Sequence, residues 1–211
     1  MKTTLKTLTC GAVAALAVLA CADGPPTPRS VRYQISAGQY PQEKATPDAV
    51  LTDQTGQTFD IRAETEGRLG YLYFGYTSCP DICPSTMANL GRALDLLEPE
   101  VREQVVPIFV TLDPVRDTAA ALTAWLDAVG TGMVGLTGTQ EEVDAVLEQM
   151  GYIMPPYNRP DEGGYEVPHP PDLFILTPDR KVQYGYRDFF SADAIAADAR
   201  KLLEVDWGDG A

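Results

Sequence analysis

The sequence predicts an α/β protein: a mixed β-sheet flanked by helices, with an N-terminal hairpin. Three observations carry this. Two continuous apolar runs, Leu69–Gly75 (LGYLYFG) and Gln104–Leu112 (QVVPIFVTL), read as strands buried on both faces. Segments with apolar residues at three- and four-residue steps alternate with the strands. Short apolar runs flanking turn residues give a hairpin near each end of this alternation. Strands and helices in alternation build a sheet covered on its faces.

The elements follow in order. Residues 1–20 are expected to be a lipoprotein signal peptide: Lys2 and Lys6 form a basic start, and Gly11 to Ala20 form an apolar stretch of ten residues. That stretch is too short for a membrane span of about 20 residues but suits a secretory segment. Val18-Leu19-Ala20-Cys21 resembles the bacterial lipobox, which implies cleavage before Cys21 and lipidation of its sulfur. Cys10 then leaves with the signal, and Cys79 and Cys83 are the free cysteines of the mature chain. Residues 21–45, with Pro25-Pro26-Thr27-Pro28, read as a flexible tether with a short strand at Val31–Ser36. Residues 46–205 form the folded domain and 206–211 a C-terminal tail.

Within the domain, Ala49–Leu51 and Thr58–Ile61 flank the turn Asp53-Gln54-Thr55-Gly56. After the strand Leu69–Gly75, Met87, Leu90, Leu94 and Leu97 mark a helix from Pro84 to Leu97. The strand Gln104–Leu112 leads to a helix over Asp117–Val129, with Asp117 or Thr118 as N-cap. Met133–Leu136 is a short strand. Thr139-Gln140-Glu141-Glu142 is a capping box opening a helix that Gly151 ends. Leu173–Thr177 and Lys181–Tyr186 form the second hairpin, and Ser191 caps a last amphipathic helix to Leu203. Met87, Met133, Met150 and Met154 read as core packing.

Composition narrows the function. With 211 residues, 45% of them hydrophobic and 22% charged, the chain is neither disordered nor fibrous. A core of about 150 residues needs no metal or disulfide merely to fold. The 30 acidic residues against 16 basic ones repel phosphate backbones, so no nucleic-acid partner is expected. His169 is the single histidine, which excludes a His-rich metal site and any mechanism needing two imidazoles.

The chemistry concentrates at Cys79-Pro80-Asp81-Ile82-Cys83-Pro84, where a buried strand ends and a helix begins. In open α/β sheets chemistry gathers at the carboxyl ends of strands. Thiols four residues apart on a helix share a face and can converge on a metal or form a disulfide. A helix start favours thiolate, which binds metal and attacks disulfides. A disulfide closing so small a loop stabilises little, which argues against a mere staple. His169 lies in the Pro-rich segment Glu166–Asp172. Two thiolates and an imidazole suit copper in either common oxidation state, whereas structural zinc normally takes four ligands. Asp113 and Arg116 follow the second strand; they read either as partners of the thiols or as a cap and a surface ion pair, the second being favoured.

Phe74-Gly75-Tyr76-Thr77-Ser78-Cys79-Pro80-Asp81-Ile82-Cys83-Pro84 resembles the motif of the SCO/SenC family, the copper chaperones of cytochrome c oxidase assembly. Leu112–Thr118, Gly135–Thr139 and His169 with Phe174–Asp179 are similar to further family segments in the same order, over residues 46–204. The resemblance implies a thioredoxin-like fold and one copper ion, Cu(I) or Cu(II), held by Cys79, Cys83 and His169. It implies delivery to the binuclear copper centre of cytochrome c oxidase subunit II, or to another copper-accepting protein, or reduction of that centre's cysteines. Pro168 stands where the family often has Asp, and Pro170-Pro171 stiffen the loop after the histidine. The expected protein is a metallochaperone rather than a turnover enzyme. It is a monomer, lipid-anchored through Cys21 at the periplasmic face of a membrane in a bacterial cell envelope. Asp81 and Asp113 are the acidic residues placed beside the thiols. The alternatives are a thiol–disulfide oxidoreductase using Cys79 and Cys83 as its redox pair and, more remotely, a thiol peroxidase or redox sensor. The fold is common to all three, and the histidine separates them.

Overall fold

The computed structural model describes residues 35–130, 132–158, 164–187 and 190–208. The expected signal peptide, Cys10, Cys21, the Pro-rich part of the tether and most of the Val31–Ser36 strand lie outside the described residues. Among the described residues, no helix is long and apolar enough to cross a membrane.

The centre is an eight-stranded sheet in the order β1-β8-β7-β4-β5-β6-β2-β3. β4 (Leu69–Gly75) and β5 (Val105–Thr111) run parallel and are buried along their whole length, as their unbroken apolar runs require. β6 (Val134–Thr137) continues the parallel set. On the other side β7 (Leu173–Thr177) pairs antiparallel with β4, and β8 (Lys181–Tyr186) pairs antiparallel with β7. The N-terminal hairpin, β2 (Val50–Asp53) and β3 (Thr58–Asp60), adds to the β6 edge. Its turn is held by Asp53, whose Oδ1 accepts from the Thr55 and Gln57 amides at 2.8 and 2.9 Å, while Gly56 takes φ +86°. The α/β class, the mixed sheet and the flanking helices are those expected.

Cap chemistry sets the helix starts. α4 (Ala119–Val129) begins at Thr118, whose hydroxyl accepts from the Ala121 amide at 3.2 Å. α5 (Gln140–Gln149) opens with the reciprocal Thr139–Glu142 capping box, and Gly151 follows it at φ +78°. α6 (Ala192–Leu203) is capped by Ser191 and buries Ile195, Ala199 and Leu202. α2 (Ile82–Asp95) packs against α6 and buries Cys83, Met87, Leu90 and Leu94. Two short helices, α1 (Ile61–Thr65) and α3 (Pro99–Arg102), fill connections that the sequence reading left without structure.

Three boundaries differ from expectation. Residues Gly38–Ala45, assigned to the tether, form the edge strand β1, antiparallel to β8. The segment is mostly exposed and carries Pro41, so it lacks the apolar alternation that marks a strand; backbone pairing to β8 makes it one. Before it, Asp198 on α6 accepts the Ser36 and Ala37 amides at 2.7 and 2.9 Å, fixing where the chain joins the domain. α2 starts at Ile82 rather than Pro84, so Cys83 lies inside the helix while Cys79 lies before it. Asp117 is not the cap of α4; it is buried and serves the site loop.

Candidate metal centre

β4 ends at Gly75, and residues 76–81 turn back over the start of α2. Asp81, in the N-cap position of α2, makes no side-chain capping bond. A helix start leaves its first amides without intrahelical acceptors, and here the Cys79 sulfur takes one of them: the Cys83 N–H donates to Cys79 Sγ at 3.4 Å. The two thiols therefore approach through a turn folded over a helix end, not as i and i+4 neighbours on a regular helix. Both are free and buried; Cys79 borders an open cleft with Pro80, Asp81, Ile82, Glu166 and His169.

Gly75 makes room for the inner thiol. A Cβ there would lie 2.8 Å from Cys83 Sγ and 3.0 Å from the Phe109 ring. Burial pushes the Cys83 thiol up, so without a cation it rests protonated.

The third donor arrives from 86 residues further along the chain, where His169 Nε2 sits 3.7 Å from Cys83 Sγ. His169 Nδ1 lies 3.0 Å from the Pro170 carbonyl. A carbonyl can only accept, so the proton belongs on Nδ1 and the Nε2 lone pair faces the sulfurs. Burial holds the imidazole below its ordinary range and keeps it neutral. Tyr76 and Tyr73 stand edge-on to the ring, with centroids 5.9 and 6.0 Å away.

The segment carrying His169 has no regular structure from Tyr152 to Asp172 in its described residues. Side chains pin it instead. Tyr165 donates its hydroxyl to Asp113 at 2.8 Å, and Arg116 donates to the Tyr165 carbonyl at 3.0 Å. The Arg116 guanidinium lies 3.6 Å from the Tyr165 ring centroid and pairs with buried Asp113. Further on, buried Asp172 accepts from Tyr40 at 3.0 Å, Tyr152 at 2.9 Å and Arg187 at 3.3 Å. The cysteine loop is tied from the other side: Asp117 accepts from the Thr77 amide and hydroxyl at 2.8 and 2.5 Å, and from Thr111 at 2.6 Å.

Cys79, Cys83 and His169 thus come together, with one donor atom from each lying within 4.8 Å of the others. Metal–sulfur and metal–nitrogen bonds of about 2.3 and 2.0 Å, roughly 120° apart, place a sulfur about 3.7 Å from the nitrogen and the two sulfurs about 4.0 Å apart. The Cys83–His169 separation of 3.7 Å meets that requirement. Two soft thiolates with a neutral imidazole suit copper, and the donor set fits one ion. Asp81 is exposed at the cleft rim. Asp113 is buried, and it acts on the histidine segment through Tyr165 and Arg116 rather than on the thiols. The favoured surface ion pair is therefore half right: the Arg116 side is partly exposed, but the Asp113 side is buried. Sequence reasoning missed Tyr73, Tyr76, Tyr165 and Asp172, whose residue types read as core or turn, and it reads Asp117 as a helix cap; the proximity of Asp117 to the cysteine motif appears only in the fold.

The SCO1/SenC family model matches residues 38–204. A Stutzerimonas stutzeri protein provisionally named for copper binding is 34% identical over 164 residues, 78% of this chain and 79% of its own length. Protein SenC of Rhodobacter capsulatus is 33% identical over 146 residues, 68% of this chain and 62% of that protein. The crystal structure of yeast Sco1 with copper bound superposes with a TM-score of 0.69 at 26% identity, covering 76% of this chain and 89% of that one.

Proposed function

Because this chain belongs to the SCO1/SenC family, we propose that it binds one copper ion through Cys79, Cys83 and His169 and passes it on during assembly of cytochrome c oxidase. The acceptor in this reading is the binuclear copper centre of oxidase subunit II. The observation that carries it is the convergence of two thiols and one neutral imidazole within 4.8 Å at the rim of a cleft. The copper-bound yeast relative supports the choice of metal.

Loading requires the two thiols to give up their protons as the ion replaces them. The ion neutralises the charge that burial would otherwise penalise at Cys83. His169 needs no deprotonation at neutral pH, because burial already keeps its ring neutral. The three ligands differ in how they are held. Cys83 is fixed in α2, Cys79 in the turn before it, and His169 in a segment pinned only by side chains. Departure of His169 leaves a two-sulfur site open on the cleft side, where acceptor thiolates can enter and take the ion by ligand exchange.

The same reading places the mature chain on the periplasmic face of a bacterial membrane, held by a lipid on Cys21. The Pro-rich residues that follow Cys21 support the idea of a spacer between anchor and domain. A monomer suffices, since all three donors come from one chain.

A second reading is favoured by the unequal exposure of the thiols: Cys79 borders the cleft, and Cys83 lies behind it. In a thiol–disulfide exchange the Cys79 thiolate attacks a partner disulfide, releasing one partner thiolate and forming a mixed disulfide. Cys83, deprotonated, then attacks Cys79 Sγ; the second partner thiolate leaves and takes up a proton. The partner ends as a dithiol and this chain as the Cys79–Cys83 disulfide. Titration of the reduced protein with Cu(I) and Cu(II) separates the readings. Wild type should take up one copper per chain, and His169→Ala should lose Cu(II) affinity while keeping Cu(I) on its two thiolates. Full Cu(II) affinity in His169→Ala would overturn the three-ligand reading; activity that needs Cys79 but not His169 would favour the exchange.

A further inference from the structure

Beside Cys83 lies a buried hydroxyl that copper binding does not itself require. Tyr73, on β4, is fully buried, and its hydroxyl oxygen lies 3.9 Å from Cys83 Sγ, within hydrogen-bond reach for sulfur. Its ring stacks on Phe109 at 6.3 Å and meets the edge of His169 at 6.0 Å. Those ring contacts would serve a phenylalanine equally well. A buried hydroxyl without a partner is costly, so a tyrosine at this depth needs an acceptor.

The Tyr73 hydroxyl donates toward the Cys83 sulfur. A phenol is protonated at neutral pH and is therefore a donor. The two sulfurs then differ in what they accept: Cys79 takes a backbone amide from the helix start, and Cys83 takes a phenol from the sheet.

We infer that Tyr73 is a positioning residue which donates a hydrogen bond to the Cys83 sulfur, stabilising its reduced form and weakening its electron donation to a bound metal. A hydrogen bond withdraws density from a thiolate. It thereby lowers the sulfur-to-metal charge-transfer donor level and disfavours the higher oxidation state of the ion. A disulfide sulfur is a poorer acceptor than a thiol or thiolate, so the same contact favours the dithiol over the Cys79–Cys83 disulfide.

The inference deepens the copper-binding reading and rests on it in part, so the test has a metal-free arm and a copper arm. In the first, wild type and Tyr73→Phe are equilibrated with oxidised and reduced dithiothreitol. Two thiol protons and two electrons pass to the oxidised reagent as the protein disulfide forms. Loss of a hydrogen bond worth about 1 kcal/mol should raise the disulfide formation constant roughly fivefold. In the second arm, Cu(II)-loaded Tyr73→Phe should show its sulfur-to-copper absorption at lower energy, with the Cu(II)-to-Cu(I) affinity ratio raised by a similar factor. An unchanged equilibrium in the first arm overturns the inference, as does an unchanged absorption in a variant that takes up copper. A wild type that takes up no copper instead defeats the copper-binding reading, and the metal-free arm alone then decides the role of Tyr73. Should Tyr73→Phe fail to fold, 3-fluorotyrosine placed at position 73 keeps the ring and makes the phenol a stronger donor. It should lower the disulfide formation constant, and no movement there counts against the inference.

Discussion

The site depends on individual atoms that leave little room for substitution. Gly75 is the sharpest case. A methyl there meets Cys83 Sγ at 2.8 Å and the Phe109 ring at 3.0 Å, and neither belongs to a flexible surface group. Gly75→Ala should destabilise the metal-free protein by about 1–3 kcal/mol, measured by denaturant unfolding. It should also weaken copper binding, because Cys83 Sγ must shift away from the point shared with His169. His169 gives a pH signature. Its folded-state ionisation is held below the unfolded value by burial, so the folded state takes up its proton later as pH falls. Its contribution to stability is present above the ordinary histidine range and is lost as pH drops through that range towards the folded value. The metal-free wild type should therefore lose more stability than His169→Gln between neutral pH and about pH 5.5, as read by thermal midpoints; parallel losses would contradict the burial of a neutral ring. At this scale the sequence shows the ligands but not their neighbours. Cys79 and Cys83 stand out by spacing and by their place at a strand end. The link to His169 comes from resemblance, because no local period connects residues so far apart. Tyr73 sits in an apolar run where a buried ring is the ordinary reading, and only the folded chain shows its hydroxyl against sulfur.

Among the elements, the segment between α5 and β7 is the one whose order rests on side chains. Asp113 is buried and holds both Arg116 and the Tyr165 hydroxyl, which keeps residues 164–169 over the thiols. Asp113→Ala leaves those two donors without their acceptor. It should raise the Cu(II) dissociation rate while leaving the formation of the Cys79–Cys83 disulfide nearly unaltered, because the cysteine loop is tied separately to Asp117. Stopped-flow chelator competition checks the rate; equal rates would show that the histidine segment needs no such tie. The elements with strong internal signals are legible in the sequence. β4 and β5 are unbroken apolar runs, and the Thr139–Glu142 box and the Ser191 cap announce their helices. β1 has no signal in the sequence, because an exposed edge strand with polar residues and Pro41 has no pattern of its own and is defined by its neighbour β8. Pro84 reads in the sequence as the first residue of α2, whereas the helix opens two residues earlier and uses a cysteine sulfur where a capping oxygen is usual.

For the whole molecule, the sheet does the work of bringing distant segments to one rim. β4 delivers the cysteine loop, β5 delivers Asp113 and Asp117, and β7 follows directly after the His169 segment as the antiparallel neighbour of β4. Strand order, more than sequence proximity, makes the cluster. The anchoring reading belongs to this scale too. The intact mass of the protein from the membrane fraction of a bacterial host that lipidates secreted proteins should show an acylated Cys21, and the added mass should be lost in Cys21→Ser; an unmodified wild-type mass would rule out a lipid on that residue. The central claim is that one copper ion is shared by two sulfurs and one imidazole nitrogen of this chain. X-ray absorption fine structure of the Cu(II)-loaded protein measures that coordination sphere directly. The expected spectrum holds two sulfur scatterers at about 2.3 Å and an imidazole nitrogen at about 2.0 Å; in the Cu(I) form, which His169→Ala still takes up, the imidazole signal is present in wild type and absent in the variant. A first shell without sulfur, or an imidazole signal that survives the substitution, would contradict the account.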